Sequence, residues 1–134
     1  MASGNTMTNN GLNLALKRIY GVTVTAVSKF GIGTGTTTPA ATDSALTTAI
    51  TAWSGGSDYK NFVTGYPVYD TTNRSVTIRG LIATSEANGN NISETGEFNT
   101  DGTVIMIDHD VFTAITKDNQ TQISLVWRHI ASTT

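Results

Sequence analysis

Cysteine is absent from this 134-residue chain, which excludes disulfide staples and cysteine-ligated zinc. Charge is scarce: 13% of the residues are charged and the formal net charge is −2. Such a balance lacks both the basic field that nucleic acid requires and the acidic excess of a solvating tail, so no nucleic-acid partner is predicted. No apolar run is long enough to cross a bilayer as a helix, and no membrane partner is predicted either. The opening MASGNTMTNN has no cationic region followed by an apolar core, so it does not read as an export signal. With two histidines in the whole chain, acid–base and metal chemistry have few side chains to draw on.

What the chain does have is threonine, serine, asparagine and glycine. Threonine is β-branched and suits a half-buried strand, whereas a helical chain would carry more Glu, Lys and Leu. The length suits one domain over residues 1–134. Residues 1–8 are small and polar and read as a flexible arm, extended or ordered only by a neighbour. Asn9 or Asn10 can cap a short helix whose Leu12, Ala15, Leu16 and Ile19 share a face and which Gly21 closes. From residue 22 to 32 the period changes to two, as in a half-buried strand. Asp43, approached through Pro39, has the chemistry of a cap for one helical turn through Leu46, and residues 47–53 can continue as a strand. Residues 66–70 and 75–83 read as a hairpin, and residues 92–98 and 103–108 as a second one around Asp101-Gly102. Residues 86–91 form a polar loop between them. The last strand, 121–130, puts Ile123, Leu125, Trp127 and His129 on one side. The fold class that follows is mainly β: an antiparallel β-sandwich or barrel-like domain with a short N-terminal helix.

Candidates for chemistry are few. Asp108-His109-Asp110 is the densest run of metal-capable side chains, but on a strand His109 points opposite to both aspartates, and a solvated loop is the default reading. No GxSxG occurs, and neither histidine sits in a recognisable nucleophilic setting. Glu86, Glu94 and Glu97 lie close in sequence and paired carboxylates can serve a glycosidase, although loop glutamates are more often solvated. Trp53, Tyr59, Phe62, Tyr66 and Tyr69 concentrate aromatics in mid-chain, and without an Arg/Lys stripe they read as core or subunit interface. The sequence predicts no catalytic residue, no cofactor and no metal ion.

One motif remains, GIGTGTTTPAATDSAL at residues 31–46. Its glycines suggest a phosphate cradle, yet no lysine or arginine occurs between Lys29 and Lys60 and the spacing matches neither nucleotide fingerprint. Together with ISETGEFNTDGTV at residues 92–104 and the closing Phe112-Thr-Ala-Ile-Thr-Lys117, it resembles the N-terminal domain of tailed-bacteriophage tail-collar fibres and related virion proteins. The similarity runs in the same order along nearly the whole chain. It implies a structural motif of Gly31, Gly33, Gly35, Pro39, Asp43, Leu46, Glu94, Gly96, Asp101 and Gly102. In that reading the glycines turn the chain off its strand, Asp43 caps a small helix anchored by Leu46, and Glu94 bonds backbone or an arginine. Glu97 departs from the pattern, which has an apolar residue there, and no fibre shaft follows Thr134. The resemblance implies a non-enzymatic virion structural protein, assembled in the bacterial host cytoplasm, that serves as an anchoring or adaptor module at the tail, baseplate or fibre attachment site. Its partners would be copies of itself, as a homotrimer or ring, and other tail, baseplate or capsid proteins. A capsid cement or decoration protein is the alternative, and a carbohydrate-binding sandwich domain a further one.

Overall fold

Residues 75–82 and 123–130 alternate between more and less buried positions, whereas residues 92–99 are buried on both faces, and with their neighbours these segments build two antiparallel sheets. The computed structural model describes residues 4–100 and 104–132, so the expected Asp101-Gly102 turn lies outside the described residues. The elements are β1 (Gly4–Met7), α1 (Asn9–Ile19), β2 (Lys29–Gly33), β3 (Lys60–Asn61), β4 (Val68–Asp70), β5 (Ser75–Ile82), β6 (Asn91–Asn99), β7 (Ile105–Thr116) and β8 (Ile123–Ile130). The larger sheet has the order β1-β7-β6-β2-β3 and the smaller one β4-β5-β8. The mainly β, sandwich-like fold with one short N-terminal helix is the class the composition predicts.

The apolar core combines Phe30 and Ile32 of β2 and Ile92 of β6 with Ile78, Ile82, Ile123 and Trp127 from the smaller sheet and Trp53 from a loop. Phe30 lies at its centre, its ring 5.4 Å from Trp53 and 5.7 Å from Trp127. It rests on bare backbone, because a Cβ on Gly80 would stand 2.9 Å from the Phe30 ring. On β8 the inward residues are those the sequence put on one side: Ile123 pairs with Ile82, Leu125 with Gly80 and Trp127 with Ile78. The β4–β5 hairpin also forms as read. Asp70 accepts the Thr72 and Asn73 N–H groups at 2.9 and 3.2 Å across its turn.

Several local readings are corrected. Residues 4–8 are not a free arm: β1 pairs with β7 from Gly4↔Val111 to Met7↔Asp108, and Thr8 is fully buried. Thr8, rather than Asn9 or Asn10, caps α1. Its Oγ1 accepts the Gly11 N–H at 3.0 Å and donates to the Met106 carbonyl at 2.6 Å. Gly21 ends the helix region with φ of 78°, as its position suggests. The helix buries Gly11 and Leu14, leaving Leu12, Leu16 and Ile19 exposed, because glycine at position 11 lets the backbone of α1 lie against that of β7. Residues 22–28 are not strand; two carbonyls there are taken by side chains, Val24 O by Arg18 Nη1 and Thr25 O by Asn99 Nδ2. No helical turn forms at Asp43, and residues 47–53 contribute one bridge, Gly33↔Ala49, rather than a strand. Finally, β7 runs on through the segment read as a solvated loop, so Asp108, His109 and Asp110 lie in mid-strand.

The seat of α1 gives a test. Gly→Ala in an ordinary helix interior stabilises by about 1 kcal/mol. At Gly11 the added methyl would stand 2.4 Å from the Ile107 carbonyl oxygen, which is backbone and cannot rotate away. Gly11→Ala is therefore expected to lower stability by about 1–3 kcal/mol in urea unfolding. A stabilised variant would show that α1 does not sit on β7.

Candidate functional site

Directly paired residues share a face of a sheet, so the register sorts the polar side chains of β6 and β7 into two groups. Phe30↔Glu97, Ile32↔Thr95 and Glu97↔Asp108 place Glu97 and Asp108 on the face toward the smaller sheet. Gly31↔Gly96, Gly33↔Glu94 and Gly96↔His109 place Glu94 and His109 on the outer face.

Glu94 is the centre of the outer group, with no exposed surface. Its Oε1 accepts the Gly35 N–H at 3.0 Å and the Thr48 N–H at 2.7 Å, and its Oε2 accepts the Thr47 N–H at 2.9 Å. His109 Nε2 donates to the same Oε2 at 2.8 Å, while His109 Nδ1 donates to Asp43 Oδ2 at 2.7 Å. With a carboxylate at each ring nitrogen, the imidazole carries both protons. Burial acts to lower the His109 pKa, but the bonds to Asp43 and Glu94 and their charges outweigh it and the pKa rises. Burial acts to raise Asp43, but the Ala40 N–H and His109 hold it below the ordinary aspartate value.

These contacts assign the motif residues. The loop after β2 does cradle an anion, and the anion is the chain's own Glu94. Gly31, Gly33 and Gly35 do not have left-handed backbone, so they do not serve as turn glycines. Gly33 and Gly35 are needed bare, and Gly31 is closely packed. A Cβ on Gly33 would stand 2.4 Å from Glu94 Oε1 and 2.5 Å from Thr48 O, one on Gly35 2.5 Å from Glu94 Oε1, and one on Gly31 3.1 Å from the Phe98 ring. Gly96 likewise leaves room for the Asp108 carbonyl, 2.9 Å from where its Cβ would be. Asp43 clamps His109 and the Ala40 N–H instead of capping a helix. Pro39 is buried; Leu46 is half-buried and lines a cleft with Tyr59 and Phe98 instead of joining the core. Glu94 bonds backbone as expected, and its side-chain partner is a histidine rather than an arginine.

The inner group draws on three strands. Glu97 on β6 and Asp108 on β7 are fully buried, and His129 of β8 reaches them from the other sheet. His129 Nε2 hydrogen-bonds Glu97 Oε2 and lies 3.8 Å from Asp108 Oδ2. Asp108 Oδ1 accepts the Glu97 N–H at 2.9 Å. Beside them Asp110 accepts the Trp127 indole N–H at 2.6 Å and the Asn5 amide. Burial pushes the Glu97 carboxyl up to about 7; burial, with the neighbouring Glu97 and Asp110, raises Asp108 further still. Among the described residues, Glu97 Oε1 and Asp108 Oδ2 are buried side-chain oxygens without a hydrogen-bond partner.

His109 thus faces away from Asp108 and Asp110, as strand alternation requires. Glu94 and Glu97 point to opposite faces of β6, so they cannot act as a carboxylate pair on one substrate, and Glu86 is engaged elsewhere with Lys60 at 2.6 Å and Ser54 at 3.0 Å. Of the mid-chain aromatics, Trp53 is core, Phe62 packs against it, Tyr59 meets the Phe98 ring in a tilted contact at 4.8 Å, and Tyr69 is exposed. Sequence reasoning missed His129 and Glu97 as neighbours. The available signal was a polar residue at the end of the inward stripe of β8, opposite a glutamate in an apolar slot. No family model, no curated protein and no solved structure matches the chain.

Two outcomes follow for the outer group. Gly35→Ala is expected to cost about 1–3 kcal/mol by overpacking against Glu94, read by urea unfolding; an unchanged midpoint would remove the steric role. The raised His109 pKa means that its stabilisation is fully present below the unfolded value of about 6.5 and is lost as pH rises through the folded pKa. The melting-temperature difference between wild type and His109→Gln should therefore be larger at pH 6 than at pH 9. Equal differences at both pH values would show that the imidazole is neutral.

Proposed function

We propose that the chain is a non-enzymatic structural protein of a tailed-bacteriophage virion, an oligomeric anchoring or adaptor module at the tail, baseplate or fibre attachment site. The observation that carries this reading is the interlocking of the two motif segments: Glu94 of the second holds the Gly35, Thr47 and Thr48 amides in and beside the first, and His109 ties it to Asp43. The residues that carry the resemblance therefore explain one another as scaffold. His109 is 1% exposed with both ring nitrogens engaged by carboxylates, so it offers no nitrogen to a substrate proton.

The surface supports association. Leu12, Leu16, Ile19 and Tyr20 leave an apolar face on α1, and Val68, Tyr69, Val126 and Ile130 add exposed apolar area on the smaller sheet. With few charges to keep copies apart, such faces favour assembly. Sedimentation at micromolar concentration is expected to show a homotrimer or larger ring, and Leu16→Glu with Ile19→Glu to shift it toward monomer with little change in melting temperature. In purified particles of a phage encoding the chain, quantitative mass spectrometry should find about a few tens of copies. Several hundred copies would favour a capsid cement instead. A strictly monomeric protein absent from particles would overturn the proposal.

A further inference from the structure

We propose that Glu97, Asp108 and His129 form a site for one divalent transition-metal ion of the zinc type, which ties the two sheets together. The three residues come from β6, β7 and β8, so a shared ion would connect the larger sheet to the smaller one at the polar end of their common interior. One donor atom from each lies within 4.8 Å of the others. Donors at about 2.0–2.2 Å from a common ion sit roughly 3–4 Å apart, so modest side-chain rotations close the triad.

The two unpartnered oxygens point to a ligand. Buried polar atoms are almost always paired, and a lone carboxylate oxygen carries the full desolvation cost. Here two such oxygens, Glu97 Oε1 and Asp108 Oδ2, belong to the same three-residue cluster, on side chains with no exposed surface. A dication offsets the charge of the two carboxylates and takes a lone pair from each, while the neighbouring Asp110 stays engaged by the Trp127 indole and the Asn5 amide. The Glu97 N–H on Asp108 Oδ1 already fixes the orientation of that carboxylate, as outer partners of metal ligands do.

Donor type narrows the ion. One imidazole and two carboxylates, with no thiolate, suit Zn²⁺ or a neighbouring first-row dication. Three protein donors are too few for Ca²⁺, which takes six to eight oxygens, and imidazole is a poor ligand for Mg²⁺. The His129 side chain, 21% exposed, leaves the ion a route from solvent.

The competing explanation is a proton shared between the two carboxyls, and titration calorimetry separates the two. Chelator-treated wild type is titrated with ZnCl₂, with MgCl₂ as the ion control, at pH 7.5. One Zn²⁺ per chain with no Mg²⁺ response is expected, and free Zn²⁺ at 100 times Kd should raise the melting temperature by about 10 °C. His129→Gln, a change at the rim of the cluster, should weaken binding at least tenfold, and Glu97→Gln should abolish it. Should Glu97→Gln fail to fold, X-ray absorption of the zinc-loaded wild type decides: one nitrogen and two carboxylate ligands support the site. Folded wild type that binds no Zn²⁺ at micromolar concentration, or that binds it equally well as His129→Gln, overturns the proposal.

Discussion

A carboxylate cut off from water must have its lone pairs met by donors the chain itself supplies, and Glu94 imposes that demand on half of the larger sheet. Its four donors come from three places: the Gly35 amide just after β2, the Thr47 and Thr48 amides further along the same loop, and His109 on β7. To bring them together, β2 must be bare at Gly33, and the chain must be bare again at Gly35. The loop must then fold back so that Thr34 N–H reaches Thr48 O at 2.9 Å and Ile50 N–H reaches Ile32 O at 2.9 Å. Charge follows the same constraint. An imidazolium between two carboxylates neutralises only one of them, and the three amides on Glu94 together with the Ala40 N–H on Asp43 spread the remainder over backbone dipoles.

The parts of the fold legible in the sequence are those where one face is buried and the other wet. In β8 the inward residues are Ile123, Leu125, Trp127 and His129, and the outward ones are Ser124, Val126, Arg128 and Ile130, so the period of two survives even with two apolar residues outside. Residues 22–28 show the same alternation but form no ladder, because alternation records side-chain chemistry and carries no information about which carbonyls the nearby Arg18 or the distant Asn99 will occupy. In α1 the apolar stripe misled for a related reason: the close approach of two backbones at Gly11 outweighed the burial of Leu12, Leu16 and Ile19.

The candidate sites divide along the same line. Gly33, Gly35, Asp43 and Glu94 stand out in the sequence because they fall in a glycine-spaced run and a short Glu-x-Gly segment, although only the hydrogen bonds of the folded chain show that they meet. Glu97, Asp108 and His129 sit on three strands from two sheets, and nothing in their spacing marks them as neighbours. A polar side chain in an inward position was the sole trace, visible at Glu97 as a departure from an apolar pattern and at His129 as the end of a stripe.

The outer group also conditions the inner one. β6 and β7 have irregular pairing on both sides of the segment from Glu94 to Glu97, with register shifts between Ile92 and Glu94 and between Glu97 and Phe98. Within that segment the pairing is regular, and it is the segment that the His109–Glu94 bond spans. A one-residue slip would move His109 to the inner face and Asp108 to the outer one, replacing an imidazolium held by two carboxylates with a carboxylate facing them. The charge pairing on the outside therefore selects the register that sets Glu97 opposite Asp108 on the inside. Bringing two buried carboxylates together is unfavourable in itself, so the cost of the inner cluster is held in place by the satisfied bonds of the outer one. Such a cluster is already assembled before any cation reaches it, which lowers the ordering cost of binding.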